Sequence, residues 1–197
     1  QEHAVLRQDR LAPISRIVAL TVLGRLGVRT GDPAADDVLA EAFELAERTG
    51  ELQRLCPVRT ARAEAAWLAG DLERTRAEAA AIYDRALQSG HRWYIGQLAY
   101  WLWRAGALET VPANAFEPYV LQIEGNWRKA AAAWRALGCP YEAAWALVDS
   151  ESEPELRYAH AEFMRLGANR AAAIVARRLR AIGAERLPRG PRPTTQT

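Results

Sequence analysis

Residues 125–137 read GNWRKAAAAWRAL. The Gly125-Asn126 pair is a turn signal, and Asn126 is suited to N-cap a helix by accepting from a free backbone N–H. Ala130, Trp134 and Leu137 follow at spacings of four and three, which places them on one helical face. A small residue beside a large one at that spacing lets a neighbouring helix come close at Ala130 and lock against Trp134. The stretch therefore predicts a helix whose inner face is built to receive another helix. Whether the fold is a repeat depends on whether the chain says this again.

It does. Within residues 155–166, Ala159, Phe163 and Leu166 each stand 29 positions after Ala130, Trp134 and Leu137. Upstream, Gly31-Asp32 and Gly70-Asp71 are 39 apart, while Phe43 and Tyr83, Ala46 and Ala86, and Gly50 and Gly90 are each 40 apart. The pattern G-[DN]-[YW]-x-x-A-x-x-x-[FYW] is that of the second helix of a tetratricopeptide repeat, whose usual pitch is ~34 residues. The expected fold is all-α: a tetratricopeptide-like array of antiparallel helix pairs, stacked in a right-handed superhelix with irregular repeat lengths. Phe43, Tyr83, Ala130, Trp134, Leu137, Ala159, Phe163 and Leu166 are the expected repeat-packing residues. An ordinary helical bundle would share the alanine content but not the matched offsets.

Composition agrees. The 197 residues are 50% hydrophobic and 25% charged, with Ala, Leu, Glu and Arg, all strong helix formers, in the majority. A net charge of +2 gives no general pull toward nucleic acid or a membrane. No apolar run approaches the ~20 residues of a membrane helix, and no signal peptide is visible, so the expected location is cytoplasmic. Cys56 and Cys139 lack metal spacing and read as two reduced thiols. The chain begins at Gln1 and its one methionine is Met164, which reads as a piece of a longer protein.

Taken in order, the pattern predicts helices over 11–26, then from Asp32 (N-cap) and Pro33 to Gly50, with Gly27 to Gly31 as a break. A helix spans 51–69, starting in earnest at Pro57, and one long helix runs from Gly70-Asp71 to Gly90. Trp93 to Ala105, Glu117 to Glu124, the opening motif, Pro140 to Leu147, Glu155 to Leu166 and Asn169 to Ile182 complete the set, with an irregular loop at 106–115. Residues 1–186 are expected to form a single helical-repeat domain, and 187–197, LPRGPRPTTQT, a Pro/Arg-rich linker.

Chemical signals are few. His3, His91 and His160 are isolated, without ligand spacing. Asp36, Asp37, Glu151 and Glu153 sit at helix starts, where they complement the dipole. No phosphate loop, nucleophile elbow or dinucleotide-binding turn is present, so no catalytic residue, metal site or cofactor is expected in this chain. Arg177, Arg178, Arg180, Arg186, Arg189 and Arg192 form a basic cluster at the C-terminal end, also favoured there by the dipole.

The aromatic segment His91 to Arg104 is the strongest binding candidate. Trp93, Gly96, Tyr100 and Trp103, with Arg104 beside them, share one face; Tyr94, Leu98, Trp101 and Ala105 share another. A helix inside an array packs on two sides, and on that reading both faces are core. Alternatively the first lines a groove, where rigid rings and an arginine would suit a peptide or small ligand.

Four segments, residues 50–72, 91–106, 125–147 and 171–195, carry a wider resemblance. They resemble the tetratricopeptide-like middle region of large bacterial LuxR-family transcriptional regulators. In that family an ATPase precedes the region, and an arginine-rich helix and PRGPRP-type linker lead into a helix-turn-helix. The resemblance implies a non-enzymatic regulatory domain that binds a protein or peptide partner, or a small effector, and relays that event to flanking modules. ATP and DNA would be bound only by domains outside this chain, a homo-oligomer is left open, and no membrane partner is implied. The other reading is a free-standing adaptor unrelated to DNA.

Overall fold

Alanine sets the spacing of this fold. Ala42, Ala46, Ala61, Ala63, Ala79, Ala86 and Ala99 are all at zero exposure, so helix backbones meet closely across single methyl groups. The computed structural model describes residues 13–184, and among them every regular element is an α-helix. The chain divides into two compact units, with the boundary between Asn126 and Trp127, inside the stretch quoted first.

The first unit holds α1 (Pro13–Thr30), α2 (Ala35–Thr49), α3 (Leu52–Ala69), α4 (Leu72–Ala80), α5 (Tyr83–Ser89), α6 (Arg92–Arg104) and α7 (Glu117–Ile123). Neighbours in sequence are neighbours in space. α1 packs on α2 and α3, α3 on α4, α4 and α3 on α6, and α6 on α7. Val28, Ala35, Leu39, Ala61 and Ala65 make the core shared by the first three helices, with Leu68 against it.

The punctuation follows the sequence in part. Gly50 and Gly90, 40 residues apart, both end helices in the left-handed region at φ 63 and 67, which a side chain disfavours. Asp71 N-caps α4, its side chain accepting from the Arg74 N–H. Asp32 accepts from the Ala34 N–H at 2.9 Å but caps a single turn, and α2 proper starts at Ala35.

Boundaries differ from expectation at three places. α1 continues through Gly27 to Thr30: a Cβ on Gly27 would lie 3.0 Å from the Ala35 Cβ, and one on Gly24 would strike Leu39. These glycines let α1 approach α2 rather than end the helix. Pro57 lies inside α3, which already begins at Leu52. The long helix expected between Asp71 and Gly90 breaks at Ala81 and Ile82, where φ −130 at the buried Ile82 turns the chain between α4 and α5.

The second unit comprises α8 (Trp127–Ala136), α9 (Pro140–Ala146), α10 (Glu153–Arg165) and α11 (Asn169–Ala181), each packed on the next. Ala130, Trp134, Ala159 and Phe163 are all at zero exposure, as their spacing predicts. Phe163 meets the rings of Tyr141 and Trp145 at 5.3 and 5.4 Å, edge-on to both. Leu137 and Leu166 depart from the expected role. Both fall just past their helix ends, and Leu137 is 51% exposed because the chain turns away there toward Gly138.

Candidate functional site

The face of α6 singled out by sequence is covered by α7. Trp93 lies 4.9 Å from the Phe116 ring and 5.9 Å from Tyr119, nearly perpendicular to the latter. Tyr100 is 3% exposed and meets Tyr119 at 5.7 Å. Gly96 is the point of closest approach: a Cβ there would be 2.9 Å from both the Phe116 backbone nitrogen and the Tyr119 ring. The Phe116 N–H also donates to the Arg92 carbonyl at 2.9 Å, which pins the loop to the start of α6. Trp93, Gly96 and Tyr100 thus form a helix–helix contact rather than the wall of an open groove. The opposite face is equally occupied, with Leu98 and Trp101 buried and Tyr94 stacked on His91 at 4.0 Å.

Arg104 and Trp103 are different, since both remain part-exposed at the C-terminal end of α6. The Arg104 guanidinium sits over three rings, at 4.8 Å from Trp103, 5.2 Å from Trp67 and 5.3 Å from Tyr100, and its Nε donates to the Tyr100 hydroxyl at 2.8 Å. The cation ties α3 and α6 together at their ends.

Beyond this knot the first unit opens into a cleft of about 530 Å³. One wall is Arg76 and Ala80 from α4 with Tyr83, Asp84 and Leu87 from α5; the other is Leu102 and the loop from Ala107 to Pro112. The cleft exists because of the break at Ala81 and Ile82, together with the irregular loop after Gly106. Leu87 is 38% exposed, and Arg76, Asp84 and Glu109 place charges of both signs around it. Burial, reinforced by the Asp84 charge, raises the Tyr83 pKa, which keeps its phenol protonated as a hydrogen-bond donor. Such a lining suits non-covalent binding of a small amphipathic molecule or peptide segment.

Tyr83 therefore changes role. Expected to pack the repeat, it lines the cleft, and Ile82 and Ala86 are the buried residues of that turn. Phe43, its counterpart at the same offset, is also only partly covered, and it lies under the Arg59 and Arg62 guanidinium groups at 4.7 and 4.5 Å. Those arginines converge on Glu78, which is 6% exposed, with contacts of 3.0 and 2.6 Å. Neither this cluster nor the break at Ile82 has a signal in spacing alone; the loop at 106–115 does, through its Gly and Pro content.

The remaining candidates are accounted for locally. Arg178 pairs with Asp149 at 3.0 Å and Arg180 Nε donates to the Ala176 carbonyl at 3.1 Å, while Arg186, Arg189, Arg192 and the 187–197 tail lie outside the described residues, as does His3. Asp36, Asp37 and Glu153 stand in first turns. His160 is buried, and burial lowers its pKa. Cys56 and Cys139 are both free thiols. Among the described residues no group of His, Cys, Asp and Glu is placed to hold a metal ion, and no helix is long and apolar enough to cross a membrane.

No protein-family model matches the chain, and comparison with curated proteins and with solved structures finds no significant match.

Proposed function

We propose that this chain is a non-enzymatic interaction domain of tetratricopeptide-like type, which binds a protein partner or a small effector as the regulatory middle region of a LuxR-type transcriptional regulator. The observation that carries the binding part is the 530 Å³ cleft, where apolar Leu87 and Leu102 lie among Arg76, Asp84, Glu109 and the Tyr83 phenol. The repeat part draws support from matched helix ends at Gly50 and Gly90, and from burial of Ala130, Trp134, Ala159 and Phe163 at corresponding places. The regulator part rests on the resemblance of the four quoted segments. Binding would shift an equilibrium between resting and active forms, through different affinities for the two.

The test has two arms. Reading the coding frame past Thr197 decides the regulator reading, which fails if no helix-turn-helix follows. A thermal-shift screen of small metabolites and short peptides, run in parallel on the wild type and on Leu87→Asp, decides the cleft. A compound that binds there raises the wild-type melting temperature and loses most of that effect in the variant. Equal shifts in both proteins would remove the cleft from the function.

A further inference from the structure

The cleft between α4, α5 and the loop after α6 differs from the rest of the first unit in how its charges are met. Elsewhere arginines and carboxylates face one another: Arg16 meets Glu41, Arg59 and Arg62 share Glu78, and Arg74 lies 3.6 Å from Asp36. In the cleft, Arg76, Asp84 and Glu109 form no ion pair or hydrogen bond with any described residue, and the Tyr83 hydroxyl forms no hydrogen bond. Two carboxylates against one guanidinium leave the lining with an excess of negative charge. Asp84 and Leu87, three residues apart on α5, share a face and both line the cleft. A carboxylate beside an aliphatic side chain matches lysine or arginine, whose methylene stem covers apolar surface while its head reaches an anion. Glu109 offers a second carboxylate from the loop wall, and Arg76 repels a cation from the α4 side.

The loop adds a different kind of contact. Its ends are closed, with the Ala107 N–H donating to the Leu102 carbonyl at 2.8 Å and the Ala115 N–H to the Pro112 carbonyl at 3.1 Å. Between them, Leu108, Glu109, Thr110 and Val111 make no backbone hydrogen bond to any described residue, and the first three line the cleft. Main-chain donors and acceptors left open beside a cavity are a template for another main chain, as at the edge of a sheet. The segment bends at Thr110, so the open register is short and centres on Leu108 and Glu109. A small amine has no alternating donors and acceptors to set against it, whereas a peptide has.

We infer that the occupant of the cleft is an extended peptide segment with a basic residue between two apolar ones at alternate positions. Its ammonium or guanidinium group is met by Asp84 and Glu109, its apolar side chains by Leu87 and Leu102, and its main chain by Leu108 and Glu109. Side chains at alternate positions of an extended chain share a face, so all three enter the cleft together. This rests on the cleft being the binding site, as proposed above, and gives its occupant a chemistry.

The test is a calorimetric titration of the full chain, to about 1 mM, with terminally blocked heptapeptides. These carry serine at the odd positions, lysine or arginine at the centre, and leucine, valine or phenylalanine on either side of it at the alternate positions. Binding that weakens at least tenfold when the central residue becomes glutamate, and as much when the main-chain amides are N-methylated, supports the assignment. Neither change depends on how a protein variant folds. Asp84→Asn/Glu109→Gln should weaken the basic peptide at least fivefold with the melting temperature unchanged. The assignment is overturned if no basic peptide binds, if the glutamate peptide binds equally well, or if octylamine binds as tightly as the peptides. A metabolite whose thermal shift is lost in Leu87→Asp, found while no basic peptide binds, overturns the peptide and leaves the cleft as a binding site. Absence of any ligand that depends on Leu87 removes both.

Discussion

The Glu64 carboxylate, 2% exposed, accepts from Arg29 Nε at 2.7 Å and from Arg25 Nε at 2.8 Å. A charge on α3 is thereby neutralised by two arginines one turn apart on α1. Burial alone would raise the Glu64 pKa, but the charges and hydrogen bonds of Arg29 and Arg25 outweigh it and hold it down to about 2. Because the folded value lies below the unfolded one, the stabilisation is complete above about pH 4.5 and is lost as the pH falls through 2. It is worth about 3 kcal/mol. Glu64→Gln should cost a similar amount in urea unfolding at pH 7, since two part-buried arginines lose their counter-charge. It should also flatten the fall in stability between pH 4.5 and 2.

Gly96 tests the contact between α6 and α7. Gly96→Ala would ordinarily favour a helix, but here its methyl meets the Phe116 backbone at 2.9 Å, which cannot swing aside as a side chain would. We expect a net loss of about 1–3 kcal/mol, read as a lower urea midpoint. A stabilised variant would place α7 farther from α6 than described.

The two ends of the opening motif should behave oppositely. Trp134, with no exposure, should lose about 3–5 kcal/mol on truncation to alanine. Leu137→Ala, at a half-exposed position past the helix end, should change stability by no more than about 0.5 kcal/mol. Paired denaturation curves at one temperature check both.

Thiol labelling separates the cysteines. Burial pushes the Cys56 pKa up to about 12 against a smaller opposing effect of Arg25, so native Cys56 carries almost no thiolate at pH 8. Part-exposed Cys139 is raised as well, by burial and then by the Glu142 charge, but remains accessible. A disulfide reagent at pH 8 should titrate one thiol per native chain, and a second only after unfolding.

These contrasts show where residue patterns speak and where they fall silent. Spacing reveals which side of a helix is inner, so Ala130, Trp134, Ala159 and Phe163 are legible, as is the cap at Asp71. It does not reveal what covers a face. Trp93, Gly96 and Tyr100 look the same in sequence whether they line a groove or meet Phe116 and Tyr119, because aromatic and small residues serve both purposes. Glycine is ambiguous in a similar way: Gly50 ends a helix through its torsion, while Gly24 and Gly27 remain within one because a neighbour needs their space. The cleft was hidden for a third reason. It arises where Ile82 leaves helical geometry between two segments that each favour a helix, and long-range packing rather than propensity decides such a break.

At Gly50 and Gly90 a Cβ would meet nothing within 4 Å, so what excludes alanine is handedness and not volume. A mirror-image residue would fit either position, adopt the required torsion by preference and restrict the unfolded chain. These two corners are thus stereochemical marks, set by the torsion and not by the space around the Cβ.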